Sequence, residues 1–137
     1  MSAPAILYPM FALATWTSLV LLLVPFRRIR AVARREVTEA DFKLGESSAV
    51  PPAVSIPNRN YMNLLEAPML FYVVCLIFYA GAATTTNVIL LAWAYVALRL
   101  IHSAIHLTYN KVLHRVLVFA ASNAVLIVLW VMAVFKL

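Results

Sequence analysis

Four apolar stretches, at residues 5–26, 61–82, 87–109 and 112–135, take up most of this 137-residue chain and leave little freedom in how it folds. Each has about the 20 residues needed to cross a hydrocarbon layer of roughly 30 Å at 1.5 Å per residue. In lipid every backbone N–H and C=O must be satisfied within the protein, so a spanning segment is either a helix or a strand of a closed barrel. The stretches lack the polar alternation of barrel strands, and four are too few for a barrel, which takes at least about eight. The expectation is an all-α integral membrane protein, one domain over residues 1–137, built as a four-helix bundle with a long loop at residues 27–60.

Composition and charge narrow the function classes. The chain is 65% hydrophobic and 12% charged, against roughly 45–50% and about 25% in soluble domains. Its formal charge of +6 lies beside apolar segments and accompanies no zinc, RRM or helix-turn-helix pattern, so anionic lipid headgroups are the expected counter-charge and nucleic acid is not. The single cysteine, Cys75, excludes an intrachain disulfide and metal spacing of the C-x-x-C kind. No metal site is expected. The first apolar stretch lacks a basic n-region and a small-residue cleavage site and is long enough to span, so it is expected to be retained.

The loops set the orientation. Arg27, Arg28, Arg30, Arg34, Arg35, Lys43 and Arg59 fall in the first loop, and Lys111 and Arg115 edge the third, whereas residues 81–86 carry no charge. The positive-inside rule puts loops one and three in the cytoplasm and both termini on the other side. The lack of a K-D-E-L-type retention sequence makes a bacterial inner membrane the simpler expected host. In the long loop, Thr38-Glu-Ala-Asp41 fits a capping box, and Pro51, Pro52 and Pro57 mark chain outside a helix. That loop is either a membrane-hugging linker or a lid over a cytoplasmic-side pocket. Trp16, Trp93 and Trp130 read as lipid-facing or packing residues.

Charges within the apolar stretches carry most of the functional information, because ionisable groups in lipid are costly and normally face protein or a water-filled cavity. Arg59, Asn63 and Glu66 recur at i, i+4 and i+7, and Arg99, His102 and His106 at i, i+3 and i+7, so each set shares one helical face. Glu66 and Arg99 lie at roughly similar depth, about 10 and 15 Å at 1.5 Å per residue, and a Glu66–Arg99 ion pair is expected. These groups either fix helix register or, since Arg30, Arg59, Arg99, Arg115, His102 and His106 outnumber the one acid, line a cavity for an anionic ligand.

The run Arg59-Asn-Tyr-Met-Asn63-Leu-Leu-Glu66-Ala-Pro68 resembles the R-x-x-x-N-x-x-E signature of the MAPEG family, membrane-associated proteins in eicosanoid and glutathione metabolism. Arg99, His102 and His106 fall on the family pattern R-x-x-H/Y-x-x-x-Y, and Arg115 on the arginine that follows it. The resemblance implies a homotrimer with a glutathione site in a cytoplasm-facing cleft between subunits. It also implies that Arg59, Asn63 and Glu66 hold the tripeptide, Glu66 at its amino group, while Arg30, Arg99, His102 and His106 frame its carboxylates. Arg115 is then the catalytic residue, holding glutathione as a thiolate that attacks a lipophilic electrophile or reduces a lipid peroxide.

Three positions depart from the family's patterns: Val116 stands where its prostaglandin synthases have serine, Phe119 where they have tyrosine, and His106 replaces the second tyrosine of the third helix. The alternative is therefore a non-catalytic lipid-binding module or accessory subunit of a larger membrane complex, as one member of the family implies. The topology is checked with Ala40→Cys in a Cys75→Ala background. A membrane-impermeant maleimide is expected to leave it unlabelled in intact bacterial spheroplasts and to label it after permeabilisation.

Overall fold

The computed structural model describes residues 3–136, and the described residues beyond a few turns are helical throughout. After a 3-10 turn at Ala3–Ile6, helix α1 (Leu7–Ala33) carries the first apolar stretch and continues past it through the arginines. It stops at a left-handed residue, Arg35, with φ 58°. There the N–H of Glu36 reaches the carbonyl of Ala31 at 3.0 Å and that of Arg35 reaches Val32 at 2.9 Å, satisfying the last-turn carbonyls in a Schellman arrangement.

The segment between α1 and the next helix is ordered by local polar bonds. The Thr38 N–H donates to Asp41 Oδ2 at 2.8 Å, and Ser47 Oγ donates to Asp41 Oδ1 at 2.7 Å, capping a 3-10 turn at Glu39–Phe42 as the spacing predicts. The Thr38 amide, the Ser47 hydroxyl and the Thr38 hydroxyl together hold the Asp41 carboxyl below its ordinary value. Beneath them Val37 packs with Ala31 and Val54, flanked by Val32, Phe42 and Val50. The segment thus tucks against the end of α1, and Arg28 ties it down through Glu46 Oε1 at 3.2 Å and the Phe42 ring at 5.0 Å.

The second apolar stretch differs from expectation in two ways. Helix α2 (Pro52–Leu65) begins nine residues before the apolar block at Tyr61, with Pro52 at its first turn, where a missing N–H costs nothing. Pro57 lies buried inside it, which corrects the assignment of all three prolines to the loop. The one bond Pro57 forgoes is to Ala53, in an exposed first turn where water can take up that carbonyl. The second difference is a break at Glu66 (φ −77°, ψ −95°), after which α3 (Ala67–Ala80) resumes with Pro68 in its first turn. Pro68 has no N–H for the Leu64 carbonyl four residues back and its ring would clash with it, so the helix cannot run on unbroken and the chain bends at Glu66.

Helix α4 (Thr86–Leu107) starts at Thr85, whose side chain accepts from the Val88 N–H, and α5 (Val112–Lys136) follows a short turn. Four spans are long and apolar enough to cross a membrane: Pro4–Ala33, Pro52–Ala80, Thr86–Leu107 and Val112–Lys136. Half of the α4 window is buried, more than in any other span, so α4 is the central helix. Phe71 of α3 stacks on Tyr95 of α4 at 4.5 Å between ring centroids, amid Leu13, Leu64, Val74, Ala92 and Leu129. Lipid offers these side chains no hydrophobic gain on association, so close packing and interhelical hydrogen bonds hold the bundle.

One such bond set joins α1, α2 and α4. Ser103 Oγ accepts from Trp16 Nε1 at 2.8 Å and from Asn60 Nδ2 at 2.6 Å. Trp16 is therefore more than a lipid-facing or packing residue: it donates across the bundle. Replacing Ser103 by alanine strands both donors in a low-dielectric interior, and bonds between membrane helices are worth about 0.6 kcal/mol on average and up to roughly 2. We expect S103A to lose about 1–3 kcal/mol of stability, read as a lower thermal midpoint in detergent, with no change in helicity.

Candidate functional site

Three turns of α2 set one wall of the site. Arg59, Asn63 and Glu66, spaced on one helical face, all open onto a single cleft of about 490 Å³. Ser55 and Met62 of α2 line it too, and His106, Asn110 and Arg115 close it from the other side. The last three come from the end of α4, the turn after it and the start of α5, so the cleft exists because the α4–α5 turn folds back toward α2.

Asn110 makes that turn. It sits at φ 51°, a left-handed conformation that asparagine tolerates better than most residues. Its N–H closes the end of α4 on the Ile105 carbonyl at 2.8 Å. Its Oδ1 accepts from Arg115 Nη1 at 2.7 Å, which aims the guanidinium into the cleft, and Arg115 Nε is buried with no partner. Sequence reasoning missed Asn110; the signal available was an asparagine between two helices, two residues before the second begins.

Arg115 also borders a second, smaller cleft of about 160 Å³, lined by Asn63, His102, Val116 and Phe119. Asn63 and Arg115 are walls of both. One guanidinium thus stands between a polar cleft with charged walls and a smaller recess of mixed lining, polar at Asn63 and His102 and apolar at Val116 and Phe119. His102 and His106 are both buried, their rings edge-to-face at 6.0 Å, and neither Nδ1 has a partner. Among the described residues no three His, Cys, Asp or Glu side chains come together as a metal site.

Arg99 lies behind these clefts, fully buried. The expected Glu66–Arg99 ion pair does not form: Arg99 Nη2 donates to the Asn63 carbonyl at 2.8 Å, and its guanidinium lies over the Phe119 ring at 5.6 Å. The reason is the break after Leu65. An unbroken helix would offer the Asn63 carbonyl to the N–H of Ala67; at the bend that carbonyl takes the arginine instead, and Glu66 is left exposed at the cleft mouth. Among the described residues the ion pair present is Arg28–Glu46, so Glu66 is free to meet a ligand. Arg99 Nε and Nη1 have no partner.

Arg30 is not brought to this cleft within one chain. It is exposed on another side of α2, in a cleft shared with Arg27 and Arg34. Of the stretch 27–60 expected as a loop, Pro52, Ser55, Ile56 and Arg59 line the main cleft and do so as part of helix α2, while none of residues 34–51 lines either cleft.

A membrane-spanning four-helix bundle with a cation-lined cleft at its arginine-rich end defines the class of protein. The profile of the MAPEG family matches residues 6–135, and the chain belongs to that family. It is an integral membrane protein. Comparison with curated proteins and with solved structures returns no match.

The turn offers a direct check. Asn110→Gly keeps the left-handed conformation accessible and is expected to hold the thermal midpoint near wild type while releasing Arg115. Asn110→Val forces a β-branched residue into the same φ and is expected to lose about 1–3 kcal/mol; equal midpoints for the two variants would contradict the role assigned to this residue.

Proposed function

We propose that the protein is a glutathione-dependent membrane transferase or peroxidase acting on lipophilic electrophiles, assembled as a homotrimer, with Arg115 as its catalytic residue. The observation that carries this reading is the position of Arg115: held by Asn110, its Nε unpartnered, and shared between a polar cleft and a recess with Val116 and Phe119 in its wall.

The residues present suit glutathione. The main cleft, at about 490 Å³, falls within the roughly 300–1,000 Å³ of small-molecule sites. Arg59 and Arg115 supply positive charge for carboxylates and a thiolate, Glu66 is free for an ammonium group, and His106 lines the wall with its Nδ1 buried. Bound there, glutathione supplies a thiol whose deprotonated form is the nucleophile. Arg115 favours that form, because a fixed cation in a water-poor site stabilises an adjacent anion more than water does. Asn63 and Arg115 border the recess walled by Val116 and Phe119 as well, so they orient the nucleophile toward a substrate arriving from the lipid. Arg99, anchored on the Asn63 carbonyl, fixes that wall and adds positive potential behind it. The positive-inside pattern supports a cytoplasmic position for this end, where a soluble thiol has access.

A second reading rests on the recess itself. Val116 and Phe119 offer no hydroxyl beside Arg115, so a module that binds lipid without turnover is favoured if catalysis needs a further donor there.

Calorimetric titration of the detergent-purified protein with reduced glutathione, paired with thiolate absorbance across pH, separates the two. The transferase reading expects binding and a thiol pKa below that of free glutathione. Arg115→Ala is expected to lower kcat/KM toward 1-chloro-2,4-dinitrobenzene by about 100-fold or more, with oligomeric state unchanged. Failure to bind at millimolar glutathione, or full activity in R115A, would reject it.

A further inference from the structure

The arginines at the end of α1 fall into two groups with different surroundings. Arg28 is committed to Glu46 and Phe42. Arg27, Arg30 and Arg34, at i, i+3 and i+7, occupy one face of the helix and line a cleft of about 230 Å³ against Ala53 and Val54 at the start of α2. Glu36 is the acid in that cleft, yet it pairs with none of them, and among the described residues their side chains make no hydrogen bond or ion pair. The cleft is net positive and its cations are unspent.

Directly adjoining it, with Arg27 and Ala53 as common walls, is a cleft of about 320 Å³ whose other lining includes Leu23, Ile56, Pro57 and Leu107. The two follow α1 in order: Leu23 inside the apolar span, Arg27 at its edge, then Arg30 and Arg34 beyond it. Cationic surface thus gives way to apolar surface along the direction in which a lipid's headgroup gives way to its chains. Basic pockets between membrane helices at this depth suit anionic headgroups, and arginine forks match phosphate oxygens.

We propose that this groove between α1 and α2 is a binding site for an anionic phospholipid, its phosphate held by Arg27, Arg30 and Arg34 and an acyl chain laid along Leu23, Ile56, Pro57 and Leu107. Within one chain the site is distinct from the Arg115 clefts but adjoins them, and its test changes Arg27 and Arg34 while leaving in place Arg30, which the family resemblance assigns to glutathione. Ile56 is the one side chain that lines both this groove and the main Arg115 cleft.

The test is native mass spectrometry of the full chain in detergent with dioleoyl-phosphatidylglycerol and dioleoyl-phosphatidylcholine supplied at equal mole fraction. Wild type is expected to retain the anionic lipid over the zwitterionic one by roughly tenfold, and Arg27→Gln with Arg34→Gln to bring the ratio close to parity. Arg35→Gln with Lys43→Gln removes the same charge outside the cleft and is expected to keep the preference. If the first double variant aggregates, Arg34→Gln alone, at the exposed end of α1, makes the comparison and is expected to lower the ratio part way. Glycerol 3-phosphate at millimolar concentration is expected to leave the lipid bound, because it has no chain for the apolar part. Equal retention of the two lipids by wild type, equal loss in both double variants, or displacement by glycerol 3-phosphate would each overturn the assignment, the last by making this a site for soluble phosphates.

Discussion

A helix that bends inside a bilayer leaves a carbonyl without its usual donor, and no water stands ready to replace it. The bend after Leu65, imposed by Pro68, creates that deficit at Asn63, and Arg99 meets it at 2.8 Å. Much of the site's geometry depends on this bond. It ties the central helix α4 to α2 where Asn63 lines both clefts, and it gives a buried guanidinium an acceptor without using up the acid next in line. With Arg99 on a backbone carbonyl and over the Phe119 ring, Glu66 stays unpaired at the cleft mouth. A carboxylate already neutralised by an internal arginine would have little attraction left for a ligand's ammonium group.

The turn at Asn110 does for Arg115 what the bend does for Arg99. In both cases a backbone irregularity, stabilised by a residue suited to it, places a guanidinium against a single oxygen and leaves some of its nitrogens unpartnered. Such donors are costly in a buried site unless an acceptor or water reaches them. Two half-satisfied arginines within one chain, separated by the Asn63 wall, concentrate positive potential at the clefts. The same economy is absent at the end of α1, where Arg27, Arg30 and Arg34 lie in solvent or headgroups and cost little to leave unpaired.

The bundle was legible in the sequence because lipid admits so few solutions. Apolar length, loop charge and the lack of strand alternation pointed to four spanning helices, and the capping residues at Thr38 and Asp41 were readable for the same local reason. The grouping of Arg59, Asn63 and Glu66 on one wall was readable too, since helical periodicity alone fixes it. The sequence misled where helices meet. Depth matching suggested a Glu66–Arg99 pair, but side-chain partners depend on where a helix bends, and a proline's effect on its neighbours' carbonyls cannot be read from spacing. Pro57, assigned to the loop, fits inside α2 because its lost bond falls at an exposed turn. Trp16, grouped with the lipid-facing tryptophans, found a buried serine on a helix 87 positions away.

The sequence by itself determined that the chain lives in a membrane, which segments cross it, which faces of those segments are polar, and which family motif they carry, because each follows from local composition and helical periodicity. Only the tertiary structure decided which polar groups satisfy one another and which remain open. That outcome rests on interhelical distances of a few ångströms, set jointly by the bend at Glu66, the turn at Asn110 and the packing around α4, and hydrogen bonds are too short-ranged for their partners to be chosen by sequence separation.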